Sequence, residues 1–139
     1  MILYKEQIIR IFTDLERLKY NGIWCDGIKK EGKYKEWFGN GQLWIDANYK
    51  DNQLNSKYKK WYSNGQLEVD ANYKNDEKDG SYKEWWSNGR LAMDANYKNG
   101  KEDGPYKEWH KNGQLQIDAE YSNGKEIYRY EYDKNGNKI

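Results

Sequence analysis

The feature that most constrains how this chain can fold is a strict internal period. Tyr34, Tyr58, Tyr82, Tyr106 and Tyr130 stand 24 residues apart, and so do Trp37, Trp61, Trp85 and Trp109. Three further columns keep the same interval: Gly41, Gly65, Gly89 and Gly113; Asp46, Asp70, Asp94 and Asp118; and Tyr49, Tyr73, Tyr97 and Tyr121. Four full copies therefore run near residues 34–57, 58–81, 82–105 and 106–129, with partial copies at both ends. Such an array is quasi-one-dimensional, each unit leaning on its neighbours, so the chain need not close around one globular core.

Each copy reads as one β-hairpin. Asn-Gly between two runs rich in aromatic and β-branched residues is the strongest short-range hairpin signal, because a type I′ turn needs positive φ at both central positions. With Asn40-Gly41 as a two-residue loop, Phe38 faces Leu43, Glu36 faces Ile45, Lys35 faces Asp46 and Tyr34 faces Ala47. This register sets Lys across from Asp in every copy (Lys35 and Asp46, Lys59 and Asp70, Lys83 and Asp94, Lys107 and Asp118), each pair worth roughly 0.2 to 1 kcal/mol. A type I turn with a Gly bulge is the competing register, and it would bring Lys opposite Ile, Val or Met.

Because side chains alternate between faces, one side of the first hairpin carries Tyr34, Glu36, Phe38, Leu43, Ile45, Ala47 and Tyr49, the expected core side. The other carries Lys35, Trp37, Gln42, Trp44, Asp46 and Asn48. A longer connection such as Lys98 to Pro105 is expected to join each hairpin to the next, and the stretch Asp51 to Lys57, lacking its Gly, to turn less tightly. Paired side by side, the hairpins make an all-β repeat fold, an elongated twisted antiparallel sheet of about nine strands, roughly 43 Å across.

The repeated wording Tyr34-x-x-x-Phe38-x-Asn-Gly-Gln, with its counterparts at Tyr58, Tyr82 and Tyr106, resembles the Tyr-x-Gly-x-Trp-x-x-Gly-Lys pattern of MORN repeats. It is more specifically similar to the MORN-repeat variant of bacterial YwqK-family antitoxins. The likeness spans residues 32–125. Glu36, Lys60, Glu84 and Glu108 replace the middle Gly of the MORN pattern, so no role of that Gly, lipid contact included, carries over. What the resemblance implies is an antitoxin or immunity-type protein that binds a partner protein, a toxin encoded beside it.

Composition narrows the function classes. Aromatic residues make up 17% of the sequence, so rings rather than leucines must supply the buried surface. Lys and Arg number 24 against 23 Asp and Glu, a net charge of +1 with the signs interleaved along each strand; neither nucleic acid nor an anionic membrane is implied. The single cysteine, Cys25, falls on the Tyr49 column and reads as a small core residue. Residues 2–19 read as an amphipathic helix with Ile8, Ile11, Phe12, Leu15 and Leu18 on one side, a cap for the first hairpin. This divides the chain into a capping helix over 1–20 and the array over 21–139, with Tyr20 to Gly32 as a worn half-repeat and EIYRYEYDKNGNKI as a closing hairpin. The charged opening segment carries no export signal, which points to the cytoplasm.

No residue set announces chemistry. His110, the one histidine, occupies the Phe38, Tyr62, Trp86 column and reads as a substitute ring. No metal-ligand spacing, nucleophile elbow or phosphate loop occurs, so neither an enzyme nor a cofactor is expected. The candidate binding residues are Trp37, Trp61, Trp85 and Trp109 with the neighbouring Lys35, Lys59, Lys83 and Lys107, an aromatic and charged surface suited to a folded protein. Two alternatives stay open: a cell-surface module holding choline or carbohydrate between aromatic hairpins, and a membrane-surface scaffold.

Overall fold

The computed structural model describes residues 32–139. The amphipathic helix, Cys25 and the half-repeat before Gly32 lie outside the described residues. Nine strands follow one another: β1 (Gly32–Trp37), β2 (Leu43–Lys50), β3 (Gln53–Trp61), β4 (Leu67–Lys74), β5 (Glu77–Trp85), β6 (Leu91–Lys98), β7 (Lys101–Trp109), β8 (Leu115–Ser122) and β9 (Lys125–Glu131). Each pairs antiparallel with the next, giving one open sheet in the order β1 to β9. The described residues thus form a single layer with two broad faces.

Two kinds of turn alternate along the sheet, and they lie on opposite edges. At the edge carrying Asn40-Gly41, the Phe38 amide donates to the Gln42 carbonyl (2.7 Å) and the Gly41 amide to the Phe38 carbonyl (2.9 Å). Gly41 has φ +83° while Asn40 does not enter the positive region, so this is a type I turn closed by a Gly bulge, not the type I′ turn expected. The same pattern returns at Gly65, Gly89 and Gly113. The type I′ turns stand at the other edge: Asn99 (φ +48°) and Gly100 (φ +76°) form the whole link between β6 and β7. The expected long connection over Lys98 to Pro105 is therefore mostly strand β7. Asp51 and Asn52 (φ +51° and +67°) turn as tightly without any Gly, and Ser56 (φ +80°) takes the bulge conformation that Gly80 and Gly104 hold in later copies.

Each hairpin absorbs the tip bulge by a second irregularity one pair further in. Lys35 still pairs with Asp46, Glu36 with Ile45 and Tyr34 with Ala47, but Trp37 pairs with Leu43 and the residue between, Trp44, is extra. Both candidate registers thus coexist in one hairpin, the bulged one at the tip and the Lys–Asp one in the body. The extra residue exchanges two side chains between faces relative to simple alternation. Leu43 comes across from Trp37, while Trp44 joins the tyrosine face and packs on Phe38 with ring centroids 5.7 Å apart.

The buried material lies on the tyrosine face. Ala47, Ala71, Ala95 and Ala119 are at most 1% exposed, each across from Tyr34, Tyr58, Tyr82 or Tyr106. A small residue opposite a ring lets the ring lie down across the strand. The column stops at Tyr106, because Arg129, not Tyr130, pairs with Ala119. In earlier copies two extra residues bulge out between these pairs, around Ser56, Gly80 or Gly104 at positive φ. The corresponding position here is Tyr128, a bulky residue that resists the left-handed region, and the bulge shrinks by one. A slip of one residue moves Tyr128 and Tyr130 to the opposite face.

Candidate interaction surface

On the face away from the tyrosines, the bulged tips set Trp37, Trp61, Trp85 and Trp109 directly across from Leu43, Leu67, Leu91 and Leu115. The result is an apolar stripe crossing the sheet from strand to strand. Trp37 is 47% exposed, whereas Trp61, Trp85 and Trp109 are half-buried. The expectation of an open Trp ladder holds fully only at its first rung; elsewhere the rings are partly covered. Beside it runs the paired charge column: Lys35–Asp46 at 3.1 Å, Lys59–Asp70 at 2.9 Å, Lys83–Asp94 at 2.7 Å and Lys107–Asp118 at 3.9 Å. All eight sequence-predicted site residues therefore share one face. At its β1 end Lys33 and Lys57 flank a shallow open depression with Lys35, Lys59, Asp46 and Asn48, and Ser81 and Pro105 take the equivalent places in later copies.

The opposite face is built from edge-to-face tyrosine pairs. Tyr34–Tyr49, Tyr58–Tyr73, Tyr82–Tyr97 and Tyr106–Tyr121 have centroids 5.5 to 5.6 Å apart, a geometry worth about 0.5 to 1.5 kcal/mol per pair. Tyr34, Tyr82 and Tyr106 each donate the phenol proton to a carboxylate two residues on, Glu36, Glu84 and Glu108. In the second copy Lys60 stands in that column and binds Glu68 at 2.8 Å. Burial pushes the Tyr58 and Tyr97 phenols up to about 12, helped by the Tyr73 ring for the first and by Glu102 for the second. Burial and the hydrogen bond to Glu84 or Glu108 push Tyr82 and Tyr106 higher still. These are phenols held protonated, not bases poised for proton transfer. Among the described residues no group of three His, Cys, Asp or Glu side chains gathers where it could hold a metal.

Charges that interleave along each strand separate across the sheet. Period-two alternation carries Glu36, Glu84, Glu102, Glu108 and Glu126 to the tyrosine face and the Lys–Asp column to the other, a polarity that the net charge of +1 conceals. Sequence reasoning set Glu36 apart from Lys35 and Asp46 in the first hairpin but did not carry that sidedness to the later copies.

Both edges are cross-linked from copy to copy. Asn40, Asn64, Asn88 and Asn112 each donate from Nδ2 to a carbonyl of the following tip (Ser63, Ser87, Lys111 and Lys134) at 2.8 to 3.2 Å. Their Oδ1 atoms accept the amides of Gln42, Gln66, Arg90 and Gln114. The ring column does the same: Tyr62 Oη donates to the Trp85 carbonyl (2.8 Å), Trp86 Nε1 to the Trp109 carbonyl (3.1 Å), and His110 Nε2 lies 2.9 Å from the Tyr132 carbonyl. A carbonyl partner requires the His110 proton on Nε2, so His110 takes the structural place of a ring with a donor.

Among curated proteins none matches the chain. The MORN repeat variant family matches it four times in succession, at residues 30–51, 54–75, 78–99 and 102–123, together more than half of its length. The matched units coincide with the strand pairs joined by the type I turns and their flanking bulges. A tandem array of like hairpins whose sequence meets that family's pattern copy after copy, this chain belongs to the MORN repeat variant family.

Proposed function

We propose that the array is a non-enzymatic protein-binding module that meets its partner with the Trp/Leu stripe and the adjoining Lys–Asp column. The observation that carries this reading is the row of partly exposed Trp and Leu pairs that recurs hairpin after hairpin on one face of a single-layer sheet, since apolar stripes of this extent mark contact surfaces. Trp anchors framed by polar groups are the composition of an interface centre. Membership of the family supports it too, because MORN repeats are commonly protein- or membrane-binding modules. The finer reading, an antitoxin or immunity-type protein that sequesters a toxin encoded beside it, rests on the likeness of the repeat wording to YwqK-type antitoxins.

Affinity capture from the native host tests the surface. Wild-type protein should recover a partner that the Trp61→Ala and Trp85→Ala double variant loses by at least tenfold; equal recovery would remove the Trp stripe from the interface. Co-expression with a neighbouring reading frame tests the antitoxin reading, which requires that the frame be toxic alone and tolerated beside this chain.

A further inference from the structure

The tyrosine face holds an ammonium group already. Lys78 Nζ lies 3.6 Å from the Tyr82 ring centroid and 4.6 Å from that of Tyr97, well inside cation–π range. Beneath it these two rings are only 6% and 8% exposed, whereas the equivalent pair Tyr106–Tyr121 remains half-buried. The pairs are otherwise alike, at 5.6 Å and 70° against 5.5 Å and 66°. Two things differ: the residue at the head of the strand, and the next strand, where Arg129 pairs with Ala119 in the place that Tyr106 takes against Ala95. Lys78 pairs with Tyr73, and the corresponding residue one copy on, Glu102, pairs with Tyr97.

We propose that the Tyr106–Tyr121 pair is a docking site for a lysine side chain of a partner polypeptide, seated over the rings as Lys78 is seated over Tyr82 and Tyr97. Charge complementarity selects the occupant. Glu102 stands where the preceding copy has its own lysine, Glu108 accepts the Tyr106 hydroxyl, and Glu126 accepts the Tyr121 hydroxyl at 3.1 Å. Arg129 alongside is engaged by Glu131 at 2.6 Å, bonds the Tyr121 hydroxyl and reaches Glu126 at 4.0 Å, so it stands at the Tyr121 end of the pair. A carboxylate keeps acceptor capacity after accepting one phenol hydrogen bond, so an incoming ammonium finds rings and oxygen acceptors together. This surface lies opposite the Trp stripe and stands or falls separately from it.

The test uses the full chain and a short peptide of alternating Lys and Thr, with its Nε-acetylated form as the neutral control, followed through tyrosine-ring NMR signals. The lysine peptide should move the Tyr106 and Tyr121 signals and the acetylated one should not. Glu102→Gln with Glu108→Gln should weaken binding at least tenfold, more at low salt. The side-chain carbonyl introduced by Glu108→Gln still accepts the phenol proton, and Glu102→Gln alone should give a smaller loss. Lys78→Met should open a second seat, so that Tyr82 and Tyr97 signals also move and affinity rises several-fold. Equal binding of the acetylated peptide, no movement at Tyr106 and Tyr121, or unchanged affinity in the Glu variants would overturn the proposal.

Discussion

The two edges of this sheet use the same dipeptide to make different turns. At one edge Asn88-Gly89 forms the second half of a type I turn and its bulge; at the other Asn99-Gly100 forms a type I′ turn, with Asn99 at φ +48°. What differs is the work given to the side chain. Asn88 Oδ1 accepts the Arg90 amide (3.1 Å) while its Nδ2 donates to the Lys111 carbonyl (3.2 Å), so the amide plane locks the turn and ties it to the next copy. Asn99 is bound through its backbone, its amide donating to Asp79 Oδ1 at 3.3 Å, and Gly100 donates to the Lys78 carbonyl at 2.9 Å. One edge is held by side chains reaching forward along the array, the other by backbone reaching back.

The comparison can be probed from the bluntest perturbation to the finest. Alkali acts on all copies at once and bypasses both edges. The Tyr58 and Tyr97 phenols sit at about 12 folded against an ordinary 10.0, so their contribution to stability is complete below pH about 10 and is lost as the pH rises towards 12. The tyrosinate absorbance of these two rings, isolated by difference from Tyr58→Phe and Tyr97→Phe, should therefore appear together with loss of the sheet signal in circular dichroism; their ionisation at pH 10 with the sheet intact would contradict the packing. Between the edges, Ala95→Leu should cost about 1 to 3 kcal/mol in urea melts, because Ala95 is 1% exposed across from Tyr82 and the ring has nowhere to go.

At the edges themselves, Gly89→Ala and Gly100→Ala should each cost about 1 to 2 kcal/mol, since φ is +80° and +76°. Gly89→Ala should also displace Gln66, whose Oε1 lies 2.8 Å from the added methyl, whereas Glu77 at 3.7 Å from Gly100 need not move. Replacing the partner residue separates the edges by sign. Asn88→Gly loses two hydrogen bonds and should destabilise by about 1 kcal/mol, while Asn99→Gly relieves a left-handed Asn and should fall near zero or slightly stabilise. Equal costs would mean that the side chain of Asn88 does not secure its turn. The smallest effect belongs to the exposed ion pairs: a double-mutant cycle on Lys83 and Asp94 should give a coupling below about 1 kcal/mol, and Lys107 with Asp118, at 3.9 Å, less.

The period, the hairpin unit, the Lys–Asp pairing and the Tyr–Ala pairing were all legible, because each recurs in four copies and any error would have had to recur with it. The turn types were not. Asn-Gly suits both a type I′ turn and a type I turn with a bulge, and what separates them, Phe38 pairing with Gln42 and not with Leu43, is not written in the dipeptide. Two consequences followed for the candidate site. The second bulge beyond the tip brought Leu43, Leu67, Leu91 and Leu115 across from the Trp column and half-buried three of its four rings. Tyr130 kept the 24-residue spacing and still left the tyrosine face, because a period in sequence fixes the side of a strand only while every bulge keeps its length. The cation seat at Lys78 was equally hidden, since a column held by Lys30, Leu54, Lys78, Glu102 and Glu126 keeps no one chemistry and reads as drift.

The sign of φ at the asparagines tests most directly which side chains share a face, and hence which surface can bind. Backbone chemical shifts with three-bond amide-to-Hα couplings should place Asn75, Asn99 and Asn123 in the left-handed region and Asn40, Asn64, Asn88 and Asn112 outside it. Positive φ at all seven would make every turn type I′, remove the tip bulges, and return the Leu column to the tyrosine side, contradicting the stripe on which the proposed interface rests.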